Sequence, residues 1–182
     1  MQASFCLRRT LISEITGAAP GDIQLGVLPE GAPILVRPAG WSLSIANKRD
    51  ITAVALGEAR EAVGVDVEIV REIDWRPMLP MLCSDDERAR FEQSALFGLR
   101  SFFRLWTLKE AVLKSTQQGF RAGPKAVAVP LEAAIETGNG CLTAFGAAYE
   151  FWSADVGDTI VSLVRRRTQE GARKAIEIGL AS

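Results

Sequence analysis

Hydrophobic and polar positions change period several times along the chain, and the changes mark out its elements. From Ser4 to Thr16, the residues Phe5, Leu7, Leu11, Ile12 and Ile15 fall within one arc at a helical period and Gly17 supplies a stop, which predicts a helix. Pro20 and Gly21 punctuate 18–22 as a turn, and short extended pieces follow at 23–27, 34–37, 41–45 and 51–56. Val63 to Val70 alternates strictly: Val63, Val65, Val67 and Ile69 share one face, while Gly64, Asp66, Glu68 and Val70 share the other, a strand with a polar side. Ser84-Asp-Asp-Glu87 reads as a capping box, with Ser84 accepting from the amide of Glu87 and the Glu87 carboxylate returning to the amide of Ser84, so a helix should run to about Gln93. A longer helix is predicted from Phe97 to Gln118, with Gly119 as its stop and Gly123-Pro124 barring its resumption. Beyond it, short β-branched or aromatic strands are expected at 125–129, 141–145, 149–154, 159–165 and 173–178. Each half orders a helix before a string of short strands, which predicts an α+β fold of two similar lobes, 1–62 and 63–182, packed face to face.

Composition narrows the chemistry. At 182 residues, 48% of them hydrophobic, the chain can bury a core without disulfides or a structural metal. It contains no histidine, which excludes a Ser-His-Asp triad, a Cys-His pair and any His-based zinc site. Cys6, Cys83 and Cys141 are far apart and form no C-x-x-C pair, the usage of a reduced, cytoplasmic protein. The longest uncharged run, Thr137 to Tyr149, is 13 residues long and carries three glycines, and Arg8 and Arg9 are followed by no apolar secretion segment, so neither a membrane nor export is expected.

With 21 basic and 22 acidic side chains, nucleic acid is not an expected partner. Residues 71–125, however, carry 10 basic and 7 acidic side chains. Arg71, Arg76, Arg88, Arg90, Arg100 and Arg104 among them are expected to form a local basic surface that meets an acidic partner.

Two carboxylates on one strand face, Asp66 and Glu68, repel each other. A solvent-facing edge would tolerate that, and a hard cation such as Mg²⁺, which takes one or two carboxylates plus waters and phosphate oxygens, would remove it. The long helix adds Glu110, which on a helical wheel falls inside an apolar stripe with Leu99, Phe103 and Trp106. A carboxylate there needs a cation or hydrogen bonds. An i, i+4 pair with Lys114 would satisfy Glu110 but leaves Asp66 and Glu68 unexplained.

Gly64-Val-Asp-Val-Glu68, followed 42 residues after Glu68 by Glu110 within Trp106-Thr-Leu-Lys-Glu-Ala-Val-Leu-Lys114, resembles the two signature motifs of the 4′-phosphopantetheinyl transferases, of the two-lobed type that serves peptide and polyketide synthases. The likeness extends to Leu7-Arg8-Arg9, Gly31-Ala32-Pro33, Trp41-Ser42-Leu43-Ser44-Ile45 and Lys114 to Phe120. It implies two α+β lobes related by a pseudo-two-fold, a monomer, and coenzyme A between the lobes. It further implies that Asp66, Glu68 and Glu110 hold Mg²⁺, or Mn²⁺, against the coenzyme's diphosphate. Arg9, Ser44, Lys48, Lys109 and Lys114 would contact the coenzyme, and Glu110 and Lys114 would carry the chemistry. The reaction so implied is transfer of the phosphopantetheine arm to a serine of an acyl or peptidyl carrier protein. Ile45, Ala32 and Ser42 stand where the family carries His, Lys and Asn, and fewer residues precede the first helix than in relatives. All four departures fall on the phosphate-gripping side. A weakened relative that binds a carrier or coenzyme, and a Mg²⁺-dependent phosphohydrolase, are the competing readings.

Overall fold

A computed structural model describes residues 2–58, 61–117, 123–167 and 178–181. Helix α1 (Gln2–Thr16) precedes a two-stranded antiparallel ribbon, β1 (Gln24–Val27) and β2 (Pro33–Arg37), and then the hairpin β3 (Trp41–Lys48) and β4 (Ile51–Glu58). Leu11 and Ile12 of the helix bury against Ile23, Leu35, Leu43, Val54 and Leu56, the first of three apolar clusters. The hairpin strands run longer than 41–45 and 51–56 because pairing continues to Lys48 opposite Ile51 across a two-residue turn.

Strand β5 (Val63–Ile69) begins the second half. It is followed by helices α2 (Leu79–Leu82), α3 (Asp85–Gln93) and α4 (Leu99–Ser115), strand β6 (Val127–Ala128) and helix α5 (Leu131–Ile135). The hairpins β7 (Gly138–Ala144), β8 (Ala147–Val156) and β9 (Thr159–Arg166) complete an antiparallel sheet ordered β5-β9-β8-β7-β6. Helix α4 lies across β5 and β9, and its Phe102, Leu105, Leu108 and Val112 enter the largest cluster with Phe91, Val127, Tyr149, Ile160 and Val164. The third cluster lies between the sheets: Ala46, Ala53 and Ala55 of the β3–β4 hairpin meet Val63, Val65, Val67, Val161 and Leu163. Small residues on one side let the two backbones approach the valine face closely.

Several details differ from what the sequence pattern suggests. Helix α4 starts at Leu99, after Gly98 in extended conformation, rather than at Phe97, and Gln118 and Gly119 lie outside the described residues. Helices α2 and α5 replace what reads as irregular chain, and Pro130 immediately before α5 together with Glu132 in its first turn is the signal that marks it. Residues 173–177 lie outside the described residues. Strand β10 (Ile178–Ala181) pairs antiparallel with β4, so the far end of a segment assigned to the second lobe adds a strand to the first half's sheet.

The six arginines expected to form one basic surface do not share a role. Arg104 is buried, donates to both oxygens of Asp155 at 2.7 and 2.8 Å and to the carbonyls of Ala134 and Ile135, and so braces α4 on α5 and β8. Arg100 pairs with Asp155 and Asp158, Arg88 with Asp85 and Glu92, and Arg71 with Glu68. Local carboxylates therefore neutralise much of the excess positive charge that the segment carries on paper.

Candidate active site

The carboxylate-bearing face of β5 is not turned to solvent. Helix α4 covers it, and the contact is so close that a Cβ on Gly64 would stand 1.8 Å from the carbonyl oxygen of Ala111. Only a residue without a side chain allows the helix to lie there. That approach sets Glu110 and Lys114, one turn apart and flanking Ala111, over Asp66. Gly64→Ala is expected to drive α4 off the strand and to lower stability by more than the ~1–3 kcal/mol usual for an overpacked core, because backbone rather than a flexible side chain must yield. A denaturation midpoint equal to wild type would show that the helix shifts at no cost.

The Lys114 Nζ donates to Asp66 Oδ1 at 2.6 Å, so the helix lysine pairs across to the strand instead of with Glu110 on its own helix. Burial holds Asp66 above the ordinary carboxylate value, against the opposing pull of Lys114 and with a further push from Glu68. Glu68 is bracketed by two cations: Lys48 Nζ lies 2.8 Å from Oε1 and 2.7 Å from Oε2, and Arg71 Nη1 donates to Oε2 at 3.2 Å. Arg71 is itself laid over the Phe103 ring, 5.3 Å from its centre. The half-buried Glu110 makes no side-chain hydrogen bond or ion pair among the described residues. Its pKa is raised, first by burial and then by Asp66, with Glu68 adding to the effect and Lys114 opposing it.

The structure thus brings Asp66, Glu68, Glu110, Lys114 and Lys48 together. Ser44 is beside them in another capacity: its buried Oγ accepts from the amide of Val65 at 3.0 Å, which joins β3 to β5 one residue before Asp66. Arg9 donates to the carbonyl of Pro20 and lines an open hollow of about 430 Å³ with Asp22, Gln24 and Arg37, whose walls contain none of the three carboxylates.

Lys109 does not join the group. It is wholly buried on another side of α4, where its Nζ lies 2.7 Å from Glu87 Oε2 and also donates to the carbonyls of Pro124 and Val127, while Glu87 Oε1 accepts from Val129 N at 2.9 Å. This corrects two readings at once. Lys109 has no donor left for a coenzyme phosphate. The Glu87 carboxylate turns to the buried ammonium rather than to the amide of Ser84, because a charge-assisted bond in a dry site outweighs one at a solvated cap; the other half of the capping box, Ser84 Oγ accepting from Glu87 N, is present. The same carboxylate, after burial itself, lifts the Cys83 thiol to about 12, so that sulfur is no nucleophile.

The donor chemistry fits a hard divalent cation, for Asp66, Glu68 and Glu110 offer only oxygen. Their spacing is open, since among the described residues no three carboxylate or thiol groups are gathered closely enough to close on an ion. Lys48 and Lys114 occupy the oxygens of two of them. An ion would therefore enter by exchange with ammonium groups.

The sequence model of the 4′-phosphopantetheinyl transferase superfamily matches residues 62–164, more than half of the chain, a stretch that holds Asp66, Glu68, Glu110 and Lys114 but not Lys48. The chain belongs to that superfamily. Among curated relatives of this phosphopantetheinyl transferase homologue, 4′-phosphopantetheinyl transferase AcpT of Salmonella typhimurium is 30% identical over 115 residues, 62% of this chain and 58% of the relative. The 4′-phosphopantetheinyl transferase psf-1 of Bacillus pumilus is 26% identical over 117 residues, 64% of this chain and 49% of that protein. The matches span about half to three-fifths of those relatives' lengths. Within the superfamily the mixed helix and strand architecture described above is the expected one, and no described helix is long and apolar enough to cross a membrane.

Proposed function

We propose that this protein transfers the 4′-phosphopantetheine arm of coenzyme A to a serine of an acyl or peptidyl carrier protein, as a Mg²⁺-dependent phosphopantetheinyl transferase. The observation that carries the reading is Glu110: a half-buried carboxylate with no hydrogen-bond or ion-pair partner among the described residues, beside two carboxylates already balanced by cations, in a chain of this superfamily. Asp66, Glu68 and Glu110 are the groups that would hold the ion, and when bound it would neutralise charge on the diphosphate. Lys114, at the end of α4, adds a positive charge beside the same phosphates.

The carrier serine Oγ attacks the β-phosphorus of coenzyme A, the bond from that phosphorus to the bridging oxygen breaks, and adenosine 3′,5′-bisphosphate departs. Glu110, whose pKa is raised by burial and the neighbouring Asp66 charge, accepts the serine proton. Most of the rate in such a transfer comes from positioning and charge neutralisation rather than covalent chemistry. The halves 1–62 and 63–182 supply different parts of the site, because Lys48 and Ser44 reach it from β3 while the carboxylates come from β5 and α4.

The test is mass spectrometry of several apo carrier proteins incubated with coenzyme A, Mg²⁺ and the full chain. Gain of the phosphopantetheine arm on a carrier serine is the expected result. Coenzyme binding without transfer would instead favour a carrier- or coenzyme-binding protein, the reading that Ile45 and Ala32 support by removing phosphate contacts. Release of inorganic phosphate would identify a phosphohydrolase.

A further inference from the structure

Lys48 is the last residue of β3, at the tip of a hairpin whose turn is Arg49-Asp50, with Arg49 at φ 52°. An arginine in the left-handed region is unusual, and it ends the strand tightly at Lys48. The ammonium therefore projects from the hairpin tip onto Glu68 of β5, with which it makes its hydrogen bonds among the described residues. Glu68 has a second cation in Arg71, which is tethered over Phe103 and also donates to the carbonyl of Ile69. Among the described residues Glu68 is thus served twice while Glu110 is served by none, and of the two cations on Glu68 it is Lys48 that is held by that carboxylate alone.

We propose that Lys48 is the displaceable counter-ion of this site: it occupies Glu68 in the coenzyme-free protein, yields that carboxylate to the divalent cation when coenzyme A arrives, and then binds the coenzyme's diphosphate. The inference rests on the metal-dependent reading of the site given above. Three features support it. The side chain of Lys48 is 30% exposed, which leaves its ammonium a path to solvent, and although Arg71 is more exposed at 48%, Arg71 is also held by the Phe103 ring and the Ile69 carbonyl, whereas Glu68 is the partner of Lys48 among the described residues. Its stem is flexible and its head compact, suited to follow a phosphate, whereas the rigid fork of Arg71 is not. The residue comes from the opposite half of the molecule, so its move would carry the arrival of the ligand from β5 to the β3–β4 hairpin. Free metal and Lys48 compete for one carboxylate, whereas metal and coenzyme assist each other.

Mn²⁺ titration of the full chain, with free Mn²⁺ read from its electron paramagnetic resonance signal, tests this with and without coenzyme A. Lys48→Met keeps the stem, and Lys48→Arg keeps the charge. Without coenzyme, Lys48→Met is expected to bind Mn²⁺ on the order of tenfold more tightly than wild type, and Lys48→Arg to stay near wild type. Coenzyme A should tighten Mn²⁺ binding on the order of tenfold in wild type and much less in Lys48→Met. Equal or weaker Mn²⁺ binding by coenzyme-free Lys48→Met would overturn the role of Lys48 while leaving the metal site intact. Wild type that takes up no Mn²⁺ even with coenzyme A would overturn the metal-dependent reading and this proposal with it.

Discussion

Glu110→Gln is expected to lower the rate of arm transfer by on the order of 10² to 10³, the usual loss when one preorganised electrostatic or proton-accepting group is removed. The same substitution should stabilise the fold. Burial and the Asp66 charge hold the Glu110 pKa above its ordinary value of 4.5. The folded protein therefore binds a proton that the unfolded chain has released, and stability falls as pH rises from about that ordinary value through the raised one. Above the raised value the ionised carboxylate imposes its full cost, which the amide removes. A rise of about 2 to 4 °C in Tm for each ~1 kcal/mol so recovered is expected at pH 7, shrinking to nothing in acid, where both states carry the proton. Lower activity with lower Tm would make Glu110 a structural residue. Full transfer activity of the wild type in EDTA would remove the ion from the account.

Lys109→Met should be costly in a different way. It leaves activity groups untouched and strands the Glu87 carboxylate in a site where the lysine is 1% and the glutamate 3% exposed. Breaking one side of such a pair typically costs about 3 to 5 kcal/mol, since a buried charge is left without its partner. The denaturant midpoint should fall at constant slope. Adding Glu87→Leu should recover part of the loss but not all, because Val129 N would still have lost its acceptor and the carbonyls of Pro124 and Val127 the buried ammonium. A single-variant loss under ~1 kcal/mol would mean that water reaches the pair.

These two residues, neighbours in sequence, show what could be read from the chain and what could not. Period-two alternation located β5 within one residue, and helical spacing located α4 within a few, because both elements carry one-sided apolar faces. The same helical period separates Lys109 from Glu110 by about 100° and from Lys114 by about 140°, so a wheel drawn for lysines would have sent Lys109 to the other side. Its partner was beyond such reasoning. Glu87 lies 22 residues away and looks, locally, like a cap residue. The pairing of Lys114 with Asp66 rather than Glu110 is likewise a property of two elements in contact, decided by the bare backbone of Gly64. Lys48 falls just beyond the strand expected at 41–45, and it is the hairpin's greater length that places it on Glu68. Helix α5 was hidden because five residues give too little periodicity to detect.

The pairing of Ile178 with Ala55 has a consequence for how the molecule comes into being. Strands β3 and β4 can form their hairpin as soon as they leave the ribosome, yet the edge of β4 stays open until a segment made more than a hundred residues later arrives. Until that segment is made, the nascent β3–β4 hairpin therefore exposes a row of unpaired backbone groups, the feature that recruits foreign strands. Contacts so far apart in sequence also form slowly. The order of manufacture and the order of assembly run in opposite directions for this sheet, whose outer strand comes from residues made after the whole of the β5–β9 sheet.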